Sequence, residues 1–156
     1  MKKMIVFDST KCTGCKTCEI VCSFKNDQVF GSSRARIRNF RDLDQSFFVS
    51  LTCMQCEDPP CVKICPTMAL SKEDGLVRIE SMRCIGCKIC MLACPFGAIA
   101  FDAARGFAVK CELCGGDPEC VAFCPTGALQ YREIETANAD KQRNLFARIK
   151  EACLSS

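Results

Sequence analysis

Histidine and tryptophan are absent from the 156 residues, and tyrosine occurs once. Without histidine the chain lacks the usual ligand of zinc fingers and haem proteins, and the most common general base. Without tryptophan, a core has to be assembled from aliphatic residues, phenylalanine and sulfur. No run approaches the ~18 consecutive apolar residues that mark a membrane-spanning helix. Met1-Lys2-Lys3 is followed only by Met4-Ile5-Val6-Phe7 before Asp8, too short an apolar segment for a secretory leader. A cytoplasmic chain is the expectation. Phosphate-binding and dinucleotide-binding glycine loops are missing, as are a catalytic triad and a candidate general base. No intrinsic substrate chemistry is expected.

What the chain has in excess is cysteine, with 17 residues. Sixteen fall into four tight groups of four instead of being spread as bridging pairs. Such grouping points to metal sites and not to a disulfide framework. The first group is Cys12, Cys15, Cys18, Cys22 and the third is Cys84, Cys87, Cys90, Cys94-Pro95, both with the spacing C-x2-C-x2-C-x3-C. That is the ligand run of a bacterial-type [4Fe–4S] ferredoxin, in which the fourth cysteine serves a different cluster from the first three. Gly14 and Gly86 sit at matching places, where the backbone has to wrap closely around its cargo. The second group is Cys53, Cys56, Cys61, Cys65-Pro66, with a middle gap of four. The fourth is Cys111, Cys114, Cys120, Cys124-Pro125, with a middle gap of five.

The formal charge of +3 counts cysteine as neutral. Sixteen thiolates around four oxidised cubane cores of about +2 each bring the loaded protein to about −5. A nucleic-acid partner is therefore rejected, and the lysines and arginines become counter-charges around the clusters.

Between the groups the chain reads as short elements. Residues 3–8 are β-prone. The helix of the first group can run on through Phe24 and Lys25, because Ser23 stands where the other groups have proline. Residues 26–33 read as a loop. Arg34, Arg36 and Arg38 alternate with Ala35 and Ile37 as a half-buried strand with a basic face, and Arg41 continues the basic run. Phe47–Leu51 is the expected hairpin partner. Pro59-Pro60 suits a helix start that would put Cys61 and Cys65 one turn apart on one face. Asp74-Gly75 between apolar runs is a hairpin signal. Ala98–Phe101 and Phe107–Val109 flank a turn at 104–106, and 126–131 reads as a closing strand. The echo of Cys65-Pro-Thr-Met-Ala-Leu, Cys94-Pro-Phe-Gly-Ala-Ile and Cys124-Pro-Thr-Gly-Ala-Leu is an internal repeat. Residues 132–156 differ: Leu145, Phe146, Ile149, Ala152 and Cys153 form an apolar stripe on a charged helix expected over 137–153. That helix packs on the domain or on a partner subunit. Cys153 is expected to be a packed thiol and not a ligand.

Three chemistries fit many cysteines. Structural zinc uses two C-x2-C pairs with a longer spacer between them, which does not match. A labile cluster of the radical-SAM kind needs C-x3-C-x2-C, which does not occur. Fully ligated cubanes, with no open coordination position, suit one-electron exchange. Lys16 and Lys88, between the second and third cysteines of their runs, are candidates for raising cluster potentials.

The order of the four groups resembles the four-cluster iron–sulfur subunits of molybdenum and tungsten oxidoreductases. These include the electron-transfer subunits of dimethyl sulfoxide reductase, nitrate reductase, formate dehydrogenase, formate hydrogenlyase and carbon monoxide dehydrogenase. The short length is similar to the small partner of tungsten aldehyde oxidoreductase-type enzymes. The resemblance implies an α+β fold of two fused bacterial-ferredoxin-like modules over residues 1–131. Groups one and four form one module, groups two and three the other, with a helical extension over 132–156. It also implies nested ligand sets: Cys12, Cys15, Cys18 with Cys124; Cys22 with Cys111, Cys114, Cys120; Cys53, Cys56, Cys61 with Cys94; and Cys65 with Cys84, Cys87, Cys90. Spacing alone does not separate this nesting from pairing of adjacent groups. The resulting expectation is four [4Fe–4S] clusters in a non-catalytic subunit. It passes single electrons between a large tungsten or molybdenum catalytic subunit and a further redox partner, in a hetero-oligomer. A free-standing polyferredoxin is the alternative.

Overall fold

A computed structural model describes residues 3–154. Among the described residues the strands pair as four separate two-stranded antiparallel sheets, three of them hairpins. The first joins the two ends of the cysteine region: β1 (Lys3–Phe7) runs against β8 (Leu129–Glu133), with Ile5 opposite Tyr131. β2 (Arg38–Asp42) pairs with β3 (Phe47–Leu51), β4 (Leu70–Glu73) with β5 (Leu76–Ile79), and β6 (Ile99–Asp102) with β7 (Phe107–Lys110). The β4–β5 turn is the Asp74-Gly75 pair, both residues at positive φ.

The helices follow the cysteine groups. In the first group, Ser23 is fully buried. Its hydroxyl donates to Ile20 O at 2.8 Å and accepts from Gly31 N–H at 3.2 Å. The helix therefore continues, and α1 spans Thr17–Asp27. Where proline follows the last cysteine, the helices are a single turn or little more: α2 (Pro60–Lys63), α3 (Ile89–Ala93) and α4 (Glu119–Ala122). Proline cannot continue them. α2 ends before Cys65, so Cys61 and Cys65 do not share a helical face as expected. The strand expected from Arg34 begins only at Arg38. Residues 32–34 form a 3-10 turn, and the Arg36 N–H bonds a cysteine sulfur instead of a strand partner. The expected alternation survives in burial, since Ala35, Ile37 and Asn39 all point inward.

Two buried clusters organise the interior. One gathers Ile5, Ile37, Leu113 and Leu129 with Cys18, Cys22, Cys111 and Cys120 from the first and fourth groups. The other gathers Leu70, Val77, Ile99 and Ala108 with Cys61 and Cys90 from the second and third. α5 (Ile134–Leu154) starts three residues earlier than expected and packs on β1 and β8 through its first turns, where Ala137 is buried. Further along, Leu145 and Phe146 stand 57% and 70% exposed, and Cys153 is exposed and not packed. No helix among the described residues is long and apolar enough to cross a membrane.

Candidate metal centres

The repeated Cys-Pro-x-x-Ala echo has a local explanation. After Cys65, Cys94 and Cys124 the chain makes a tight turn in which Met68, Gly97 and Gly127 take positive φ. Each donates its N–H to the cysteine carbonyl at 3.2 Å. The turn swings the next N–H onto sulfur: Ala69 to Cys65 Sγ at 3.3 Å and Ala98 to Cys94 Sγ at 3.4 Å. At Cys65 and Cys124, burial disfavours the thiolate. The backbone N–H groups that follow and the hydroxyls of Thr67 and Thr126 outweigh it and lower the pKa. A side chain larger than alanine would crowd this approach, since Ala69 and Ala128 are both buried.

These turns deliver distant cysteines to shared voids. Cys12, Cys15, Cys18 and Cys124 line one shared hollow. Cys22, Cys111, Cys114 and Cys120 line a second. Cys18 and Cys22 lie one turn apart on α1 yet open onto different cavities. In the other half of the chain, Cys61 feels Cys53 and Cys94, and Cys53 feels Cys56. Cys90 feels Cys84, Cys87 and Cys65. We number these gatherings sites one to four in that order.

Burial, aided by the neighbouring Glu19, pushes the Cys18 thiol up to about 11. Burial also raises Cys22, Cys53, Cys61, Cys90, Cys111 and Cys120, with crowded neighbouring thiols adding to it. Thiolates this buried need cationic cargo. At Cys15 the Thr17 hydroxyl, 3.4 Å from sulfur, lowers the pKa instead. Further N–H donors reach Cys22 from Arg36 at 3.2 Å and Cys111 from Leu113 at 3.4 Å.

The donor set fits an iron–sulfur cube. It is all thiol, every cysteine is free of disulfides, and N–H groups point at several sulfurs. Among the described residues no three Cys, Asp or Glu side chains close on one point as a single ion requires. Zinc, with thiolates at ~2.3 Å, needs that convergence. A cage with an iron at each corner needs thiols held apart around a void.

Residues the spacing singled out have additional duties. Lys16 and Lys88 take φ of 63° and 64° and start α1 and α3, a conformation with no sequence signal of its own. Lys16 Nζ lies 3.7 Å from Glu19, and Lys88 Nζ lies 4.3 Å over the Phe101 ring. Three of the four arginines expected on the basic face hold internal partners, and Arg41 is exposed. Arg34 pairs with Asp102 at 3.3 Å, Arg36 reaches Lys110 O, and Arg38 holds the carbonyls of Ser32 and Ser33. Gly86 has φ +69°, and a Cβ there would stand 2.9 Å from Gly106 O. Gly97 has a similar φ with open space around it. Gly86→Ala is therefore expected to lower the thermal midpoint and iron retention more than Gly97→Ala. The latter meets only the ~1–2 kcal/mol left-handed penalty, and parallel melts of the two loaded variants check the order.

Hairpins and short helices wrapped around four thiol-lined sites define a multi-cluster iron–sulfur protein. A family model described as a 4Fe-4S dicluster domain matches residues 44–134, and one described as a 4Fe-4S binding domain matches residues 9–25. The chain belongs to this 4Fe–4S dicluster family. It is 40% identical over 155 residues to the putative electron transport protein YsaA of Escherichia coli (strain K12), covering 92% of this chain and 98% of that one. It is 38% identical over 146 residues to the aliphatic sulfonate oxidoreductase, polyferredoxin-like subunit, of Pyrococcus furiosus, covering 92% and 84%. It is 34% identical over 153 residues to the thiosulfate reductase electron transfer subunit PhsB of Salmonella typhi, covering 88% and 79%. Among solved structures, one protein of the BamBC active site complex of benzoyl coenzyme A reductase with 1,5-dienoyl-CoA superposes with a TM-score of 0.50. It has 28% identity over 85% of this chain and 78% of that one.

Proposed function

We propose that the chain is the electron-transfer subunit of an oxidoreductase complex, relaying single electrons through four [4Fe–4S] clusters. The ligand sets are Cys12, Cys15, Cys18, Cys124 at site one and Cys22, Cys111, Cys114, Cys120 at site two. Cys53, Cys56, Cys61, Cys94 serve site three, and Cys65, Cys84, Cys87, Cys90 serve site four. The observation that carries this reading is the shared cavity of Cys124 with three cysteines more than a hundred residues before it. Sites one and two would form one ferredoxin-like module and three and four the other within residues 1–131, a division the two buried clusters support.

A cube bound by four thiolates exchanges one electron at a time and has no open position for substrate. The protein sets the route. Cys18 of site one and Cys120 of site two feel one another, as do Cys111 of site two and Cys53 of site three. Cys61 of site three and Cys90 of site four share a core. That supports a linear order from one to four. Cys15 and Cys87, at the two ends, are the exposed ligands among the sixteen, so electrons enter and leave there.

The partner we propose is a large tungsten- or molybdenum-type catalytic subunit, with a further redox protein at the other end. The names of the sulfonate and thiosulfate enzyme relatives support a catalytic partner, and the exposed Leu145 and Phe146 on α5 offer a docking face. Free thiols throughout suit a compartment that keeps cysteine reduced, such as the cytoplasm. Anaerobic purification of the tagged native chain is expected to bring a large subunit with it and to yield about 16 Fe per chain. Elution alone near 17.2 kDa would overturn the subunit reading, and clearly less iron would overturn the four-cluster reading.

A further inference from the structure

We propose that Lys110 is a fixed cation that holds the two central sites, two and three, at higher potential than the outer pair. The inference rests on the four-cluster reading above. Lys110 ends β7 directly before Cys111, and it is 1% exposed. Its Nζ donates to Cys111 O at 2.8 Å, a neutral carbonyl. Gln55 is fully buried between Cys53 and Cys56 of site three. It donates to the same carbonyl at 2.9 Å and accepts from Val77 N–H at 2.8 Å. One carbonyl of a site-two ligand is thus gripped by a lysine and by a glutamine from the site-three loop. The ammonium acts on Cys111 of site two and on Cys53 and Cys61 of site three.

Burying a lysine is costly, and a neutral donor could hold a carbonyl equally well. What only lysine or arginine supplies here is charge. Each transfer moves one electron from a reduced site to its oxidised neighbour, with no bond made or broken. The receiving site gains one negative charge, so a buried cation beside it favours its reduced form. In the interior that field is little screened by salt. The outer sites lack this arrangement. Site one has the carboxylate of Glu19, 3% exposed beside Cys18, accepting Asn39 N–H at 2.7 Å, and its cation is Lys16, 3.7 Å from that carboxylate and partly exposed. Site four has Lys88, which is exposed. Electrons entering at either end therefore settle on the central pair before leaving.

The test is a redox titration of the anaerobic holoprotein followed by electron paramagnetic resonance. Wild type, Lys110→Met, Lys110→Arg and Glu19→Gln are compared at equal iron content. Lys110→Met is expected to lower two of the four midpoints by at least a tenfold change in the reduced-to-oxidised ratio, about 59 mV for one electron. Lys110→Arg should restore them. Glu19→Gln should raise a different signal, which marks site one. Four unchanged midpoints in a fully loaded Lys110→Met protein would overturn the proposal, as would an equal shift of all four. So would a chain that loads iron only with a cation at 110, since the charge would then serve assembly and not potential. Wild-type iron clearly below about 16 per chain would instead count against the four-cluster reading itself.

Discussion

Removing the iron from the reduced protein with a chelator is expected to abolish its cooperative thermal melt and most of its far-ultraviolet strand and helix signal. The apolar interior is too small to stand alone. Four of the nine residues in one buried cluster and two of the six in the other are cysteines proposed as ligands. Among the described residues every sheet has only two strands, and such pairs are marginal in water without a further layer. α2, α3 and α4 span only four or five residues, far below the ~12–15 at which an isolated helix becomes even marginal. A single structural zinc site contributes about 10–16 kcal/mol in small peptides, comparable to the whole stability of ~5–15 kcal/mol typical of a folded domain. Four clusters in the proposed ligand sets, joining residues as distant as Cys12 and Cys124, would therefore outweigh everything else in the fold. Acid should reach the same end. Iron binds thiolate, and burial has raised the proton affinity of Cys18 and Cys111. Lowering the pH strengthens the proton against iron at those sulfurs, so cluster loss grows as pH falls and is resisted as it rises. Circular dichroism with parallel iron assays follows both routes. An iron-free chain that kept a sharp melt would show that the hairpins carry a sufficient core without metal.

Much of this arrangement is legible in the sequence because it is local. The cysteine spacing, the Asp74-Gly75 turn and the proline after Cys65, Cys94 and Cys124 each act within a few residues. Ser23 in place of that proline correctly announces a longer α1. What failed to show depends on contacts far along the chain. The alternation from Arg34 marks the inward face, but the Arg36 N–H is claimed by Cys22, fourteen residues earlier, so no ladder forms there. Arg34 finds Asp102 sixty-eight residues away, and no pattern in the basic run predicts it. Cys153 lies on a helix whose apolar stripe is real in sequence, yet Leu145 and Phe146 meet solvent in the single chain. Lys110 did leave a trace. In Phe107-Ala-Val-Lys110, period two places the lysine on the same face as buried Ala108, so a strand reading carried one residue further would have turned it inward.

Alanine replacement should reveal that the third cysteine run is divided between two clusters. Cys94 follows Cys90 by four residues, and the x2-x2-x3 spacing sends it to a different cluster from Cys84, Cys87 and Cys90 without saying which group it joins. Its charge acts on Cys61 of the second group, while Cys84, Cys87 and Cys65 act on Cys90. α3 ends at Ala93. The following turn, held by Gly97 N–H on Cys94 O at 3.2 Å and Ala98 N–H on its sulfur at 3.4 Å, fixes Cys94 away from its own run. The mirror turn after Cys65 does the same for the second group. Cys94→Ala combined with Cys56→Ala therefore removes two ligands from one cube, and one resonance signal should change while three persist. Cys94→Ala combined with Cys84→Ala removes one ligand from each of two cubes, and two signals should change. Residues acting on one site are non-additive, whereas those on separate sites add. The reverse outcome, one signal lost with Cys84 and two with Cys56, would mean that each run closes its own cluster. Cys65→Ala supplies the complementary arm: it should share its signal with Cys84→Ala and not with Cys56→Ala. The exchange also has a mechanical consequence. In the proposed ligand sets each cube at sites three and four draws three thiols from one group and one from the other, so losing either cluster should loosen both cysteine loops. Both double variants should therefore melt earlier than wild type, and the pair that disables two sites should melt earliest.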